Sequence, residues 1–198
     1  EAPKAGKIVK EENGPFGSTV WTLSNGVRVV IKPTDFKADQ ILMRAFSPGG
    51  TSLFGTKDAL QLKMLNNVAG VGGLGNFSNV DLEKVLAGKK ASINASVNGL
   101  TEGLSGSCSP KDMETMLQLT YLSFTAPRMD LDAFESFKNR TKAELANQEA
   151  NPMTALSDSL QYALYGNHPL AMRVKADMVD QIDYNLIRYS SKEFAKQI

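Results

Sequence analysis

Between residues 18 and 34, apolar and β-branched positions gather on either side of a polar break, Ser24-Asn25-Gly26. Val20, Trp21 and Leu23 lead in, and Val27-Arg28-Val29-Val30-Ile31 leads out. An Asn-Gly pair between such runs predicts a β-hairpin with a primed turn, because both residues tolerate positive φ. A third strand is predicted near Gln40 to Phe46, ending at Pro48-Gly49-Gly50. The period then lengthens. Over residues 57–69, Leu60, Met64, Leu65 and Val68 fall on one helical face. A glycine-rich loop, Gly70 to Gly75, comes next, and Ser78-Asn79-Val80-Asp81 resembles a capping box opening a short helix to Leu86.

Two more strands are predicted, Ser92 to Val97 and Thr101 to Cys108, joined through Asn98-Gly99. Ser109-Pro110 supplies a cap and a proline at the first helical position. Behind it, Met113, Met116, Leu117, Thr120, Tyr121 and Phe124 form a stripe expected to face the core. Asp130 opens a long helix to about Gln148, Pro152 starts another to about Leu164, and a last helix is expected from Tyr184 to Lys196. Strand groups separated by helix groups favour an α+β fold, a mostly antiparallel sheet covered by helices, over a parallel doubly wound one. Residues 1–17, polar and punctuated by Gly and Pro, read as a linker, which leaves 18–198 as a single domain. Both ends read as cuts within a longer polypeptide.

Composition narrows the function classes. The chain has 198 residues, 42% of them hydrophobic, enough for one core. A net charge of +1 lacks the basic excess of a nucleic-acid or membrane-surface binder. No apolar run is long enough for a membrane span. The single cysteine, Cys108, excludes an internal disulfide and a cysteine metal cluster, and reads as a small buried hydrophobe. With one histidine, His168, the chain cannot offer two imidazoles to a metal.

Gly70-Val71-Gly72-Gly73-Leu74-Gly75 matches G-x-G-x-x-G letter for letter. The dinucleotide fingerprint needs a strand before the first glycine and a helix directly after the last. Here a helix precedes and no parallel βαβ pattern surrounds the loop, so nucleotide binding is set aside. A tight turn is the simpler reading. Gly70, Gly72, Gly73 and Gly75 are the substrate-binding candidates, through backbone that could approach an extended peptide. His168, between Asn167 and Pro169, reads as a turn residue. Glu144 and Glu149, with Arg140 and Lys142 nearby, read as an exposed charged face. Ser105 and Ser107 have no base near them in sequence, so no nucleophile can be argued.

In their order and spacing these segments resemble the pitrilysin/insulinase-type (M16, inverzincin) zinc metallopeptidases. The resemblance rests on Leu23-Ser24-Asn25-Gly26-Val27-Arg28-Val29-Val30, the strand Ala91 to Val97 with its partner, and Ser109-Pro110 with its helix. It extends through the helix end from Asn147 to Pro152 and Tyr165-Gly166-Asn167-His168-Pro169. Active members carry H-x-x-E-H on the first helix, binding zinc and activating water, and a third ligand, a glutamate, on a later long helix. The matching stretch here is Met64-Leu65-Asn66-Asn67-Val68. Met64 and Val68 stand at the histidine places and Asn67 at the general-base place, while Glu144 falls where the third ligand is expected.

The resemblance therefore implies a catalytically inactive M16-like α+β domain, with no catalytic and no metal residues of its own. Zinc is expected in the catalytic half of the parent protein. The implied partners are that half, in the same chain or as a separate subunit, and a peptide substrate enclosed in a shared chamber. A periplasmic or otherwise exported bacterial location is expected by the same route. The alternative is a structural core-subunit domain without a proteolytic role.

Overall fold

The computed structural model describes residues 6–187, which belong to two compact units divided between Gln40 and Ile41. The first unit is a three-stranded antiparallel sheet in the order β1-β2-β3, with β1 Ile8–Asn13, β2 Thr19–Leu23 and β3 Arg28–Ile31. Strand β1 lies inside the stretch expected to be a linker. After Ile8 and Val9 its residues are polar, and all six are exposed, so no apolar alternation announces it. It is held by backbone pairing to β2, from Ile8 opposite Leu23 to Asn13 opposite Thr19.

The hairpin between β2 and β3 forms where expected, with a different turn. Leu23 donates to Val27 O at 2.8 Å, so three residues, Ser24, Asn25 and Gly26, make the loop. Only Gly26 takes positive φ, at 87°. Asn25 instead accepts from the Val27 amide at 3.2 Å. A three-residue loop with glycine in the left-handed position is the next most common hairpin closure after the two-residue primed turns.

The second unit is built on a sheet in the order β4-β6-β5, antiparallel throughout, with β4 Ile41–Pro48, β5 Ala91–Val97 and β6 Thr101–Cys108. Between β4 and β5 the chain forms α1 Ala59–Val68 and α2 Asn79–Val85, and after β6 it forms α3 Met113–Thr125, α4 Leu131–Glu149 and α5 Pro152–Tyr165. The caps are local. The Ser78 hydroxyl accepts from the Asp81 amide, Asp130 from Ala133, and Asn151 from Met153. Antiparallel strands with helices grouped between and after them are the α+β class that the patterning predicts.

Helices α1 and α3 lie on one face of this sheet. The sheet's second contribution to packing is a hollow. A Cβ on Gly106 would stand 2.8 Å from Met116 Sδ, so the bare glycine makes room for that side chain. Met116 is 1% exposed and Leu119 is 6%. Met113, Leu117 and Tyr121, expected on the core stripe of α3, are all more than 40% exposed. The helix is turned toward Leu119 because the glycine hollow fixes Met116 at the centre of the contact.

An apolar cluster joins α1, α4 and residues 179–187. Met64, Leu65 and Val68 pack with Phe134, Phe137, Val179, Ile182, Tyr184 and Ile187. The Phe134 and Tyr184 rings stack at 4.4 Å between centroids, and Lys138 Nζ lies 5.2 Å from the Phe134 ring centre. Helix α5 contributes no buried residue. An ion-pair group ties its neighbourhood together: Arg173 Nε meets Asp158 at 2.8 Å, and its Nη1 lies 3.6 Å from Glu149. Of the helix expected from Tyr184 to Lys196, residues 184–187 are helical and the rest lies outside the described residues.

Candidate functional site

The two positions that the resemblance assigns to histidine ligands are core. Met64 is 5% exposed and Val68 is 0%, both inside the apolar cluster. A thioether and an alkyl group in such surroundings do not suit zinc, which takes imidazole, thiolate or carboxylate donors. Asn67 is exposed. Glu144 lies on α4 with a side chain 63% exposed, 3.9 Å from Arg140. Leu145, beside it, packs against the cluster. Among the described residues no three His, Cys, Asp or Glu side chains gather closely enough to hold a metal ion. The residues present therefore do not fit the family's zinc.

The glycine loop owes its composition to packing. A Cβ on Gly72 would sit 2.2 Å from the Arg128 carbonyl oxygen, and one on Gly73, at φ +90°, would sit 2.2 Å from Phe77 O. Both residues are buried. Their carbonyls accept from Arg128, Gly72 O from Nη1 at 3.1 Å and Gly73 O from the amide at 3.2 Å. The Gly75 amide donates to Ala126 O at 2.7 Å. Close approach of the α3–α4 connection thus explains Gly72, and that of Phe77 and Ser78 with a positive φ explains Gly73, whereas Gly70 lines the cavity described next.

Residue by residue, the other candidates take structural places. His168 O accepts from the Ala171 and Met172 amides in a turn. Cys108 is buried, and burial pushes its thiol up from the ordinary value. Ser105 donates to Asn94 O across the β5–β6 pair at 3.5 Å.

A cavity of about 290 Å³ opens beside β5, lined on the apolar side by Leu65, Ala69, Leu74, Leu82 and Phe124 among others. Along β5 it meets residues Ile93 to Val97. Strand β5 is an edge: among the described residues it pairs only with β6. In an antiparallel ladder successive residues alternate between facing the partner and facing outward. Asn98 donates to Thr101 O at 2.7 Å and Ser109 to Lys90 O at 2.9 Å, which puts the even-numbered residues of β5 in the ladder. The backbone groups of Ile93, Ala95 and Val97 therefore point away from β6.

One of these is already held. Asn66 donates to Val97 O at 2.9 Å and accepts from the Val97 amide at 2.8 Å, imitating a neighbouring strand at that residue. The clamp fixes β5 to α1 between Met64 and Val68, and leaves Ile93 and Ala95 presenting a donor and an acceptor each along the cavity. An open edge of this sort is a template for an added strand.

Glu102, cross-strand from Val97, also lines the cavity and is 1% exposed. Its Oε2 accepts from the Gly50 amide, and its Oε1 has no hydrogen-bond partner among the described residues. Neither Asn66 nor Glu102 is apparent as a site residue from composition or motif. Glu102 has one available signal: at period two it shares a face with Leu104 and Cys108, both buried. Asn66 has none, since its partner lies 31 residues away.

No family model matches the chain. The Zinc protease PQQL-like protein of Arabidopsis thaliana is 28% identical over 185 residues, which is 92% of this chain and 17% of that protein. The crystal structure of the periplasmic protease PqqL from Escherichia coli superposes with a TM-score of 0.79 at 19% identity, over 100% of this chain and 22% of its own. That of a peptidase M16 inactive domain from Pseudomonas fluorescens superposes at 0.67 and 19% identity, over 88% of this chain and 42% of its own. The chain thus spans a small fraction of the relatives it matches, while the fold agrees over nearly all of its length. The sequence relatives and the fold together support an M16-type peptidase family, of whose members the chain matches a part.

Proposed function

We propose that the chain is a catalytically inactive domain of an M16 zinc metallopeptidase, forming part of the wall that encloses a peptide and contacting that peptide along β5. The observation that carries this reading is the pairing of an apolar core at the ligand positions with an open strand edge beside a cavity. Met64 and Val68 serve packing and cannot hold the zinc that activates water in the family. What it offers instead is backbone: Ile93 and Ala95 can pair with an extended main chain, while Asn66 keeps the edge straight and in place. Zinc and the hydrolytic step belong to a catalytic half, in the same polypeptide or a partner. Export to the periplasm is supported by the E. coli structural neighbour, a periplasmic protease.

Ala95→Pro tests the contact. Proline removes the outward amide donor without entering the ladder to β6. Fluorescence titration with an extended, unstructured peptide should show saturable binding to the chain, weakened about tenfold or more by the substitution, as loss of a main-chain bond and its neighbour's alignment requires. Equal binding by both proteins would remove β5 from the account. A domain that serves assembly alone would not bind the peptide.

A further inference from the structure

The cavity beside β5 is walled by apolar and neutral groups except at one point, Glu102. Its neighbours do not answer that charge. The Asn66 amide is committed to both backbone groups of Val97, and the Asn79 side-chain nitrogen donates to Gly70 O and Val71 O at 3.0 Å each. Glu102 spends one oxygen on the Gly50 amide. That bond anchors the turn after β4 to the β5–β6 hairpin, where Thr51 and Ser52 donate to Asn98 O and Gly99 O at 2.8 and 2.9 Å. Its other oxygen is buried and unmatched. A buried carboxylate in this condition is unfavourable unless a cation or a donor reaches it.

The geometry of an added strand supplies the route. Ile93 and Val97 lie on the same sheet face as Glu102, since Val97 is its cross-strand partner. Alternate side chains of a peptide laid along β5 project to that face, over the cavity. The wall formed by Leu65, Ala69, Ile93 and Phe124 suits a methylene stem, and Glu102 suits a positive tip.

We infer that the cavity selects peptides carrying a basic side chain, seated with its stem along the apolar wall and its charge against Glu102. The inference rests on the reading of β5 as the peptide-contact edge. It makes Glu102 a specificity residue.

Two otherwise identical acetylated peptides, one with lysine and one with norleucine at the central position, separate the possibilities. Norleucine keeps the stem and removes the charge. In anisotropy titrations the wild-type chain should bind the lysine peptide at least tenfold tighter. The preference should disappear in Glu102→Gln, which keeps an acceptor for the Gly50 amide. Norleucine binding as tightly as lysine to the wild-type chain would overturn the inference and leave the edge reading standing; this comparison needs no variant to fold. A lysine preference that survives Glu102→Gln would overturn it too, by assigning the charge to another group. Binding of neither peptide would remove the edge reading and the inference together.

Discussion

Val68, which the family resemblance assigns to a histidine place, is fully buried, and the surrounding side chains are mostly aromatic and aliphatic. Returning histidine to that position places a polar ring among groups that offer it no partner. Val68→His should destabilise the second unit by about 3 kcal/mol, the sum of overpacking and an unsatisfied polar group, read as a shift in the urea midpoint. The glycine loop gives a paired test at the same scale. Gly72→Ala drives a Cβ to 2.2 Å from a backbone oxygen, while a Cβ on Gly70 meets nothing within 4 Å. The first should cost about 3 kcal/mol or more and the second under about 0.5 kcal/mol. Equal effects would mean that the loop is not shaped by this contact.

Asp112 carries a pH prediction. The Ser109 hydroxyl donates to it at 2.6 Å and the Lys90 amide at 2.9 Å, and these bonds hold its carboxyl below the ordinary carboxylate value. Asp130 and Asp81 are lowered in the same direction, by the Ala133 amide and the Ser78 hydroxyl respectively. A group whose folded pKa is depressed stabilises the fold above its unfolded value, about 3.9 for aspartate, and that contribution is lost as pH falls through the folded value. Ser109→Ala removes the largest cause acting on Asp112. Its acid-unfolding midpoint, followed by circular dichroism, should move to higher pH than wild type, the part of the loss due to ionisation being full near neutrality and vanishing below the folded value.

Among the elements, helix α3 shows where reading by period succeeds and where it stops. The helix is found, yet its buried face is set by Gly106 in the sheet beneath Met116, a feature of another element. Met116→Ala should therefore cost about 3 kcal/mol and Leu117→Ala less than about 1 kcal/mol, although the two are neighbours in one apolar stripe. Chemical denaturation of both variants decides between the predicted and the observed face. Strands β4, β5 and β6 are legible because β-branched or small residues alternate between turn signals. Strand β1 is not, because it buries no residue and its apolar pair, Ile8 and Val9, is adjacent and does not alternate. The same limit applies to the site. Met64, Asn67 and Val68 are assigned to the motif places by the family resemblance, whereas the Asn66 clamp and the buried Glu102 depend on contacts 31 and 52 residues apart.

At the scale of the molecule, the chain matches M16-type proteins over almost all of its own length and little of theirs. The unit has the fold of the M16-type proteins, a packed core at Met64 and Val68, and an open β5 edge. The central claim is that this domain carries no zinc chemistry of its own. Calorimetric titration of the purified chain with Zn²⁺, with a fluorogenic peptide present to report cleavage, addresses it directly. The account predicts no saturable binding near one equivalent and no cleavage. One zinc per chain bound at micromolar affinity or tighter, with peptide hydrolysis that Glu144→Gln abolishes, would contradict it.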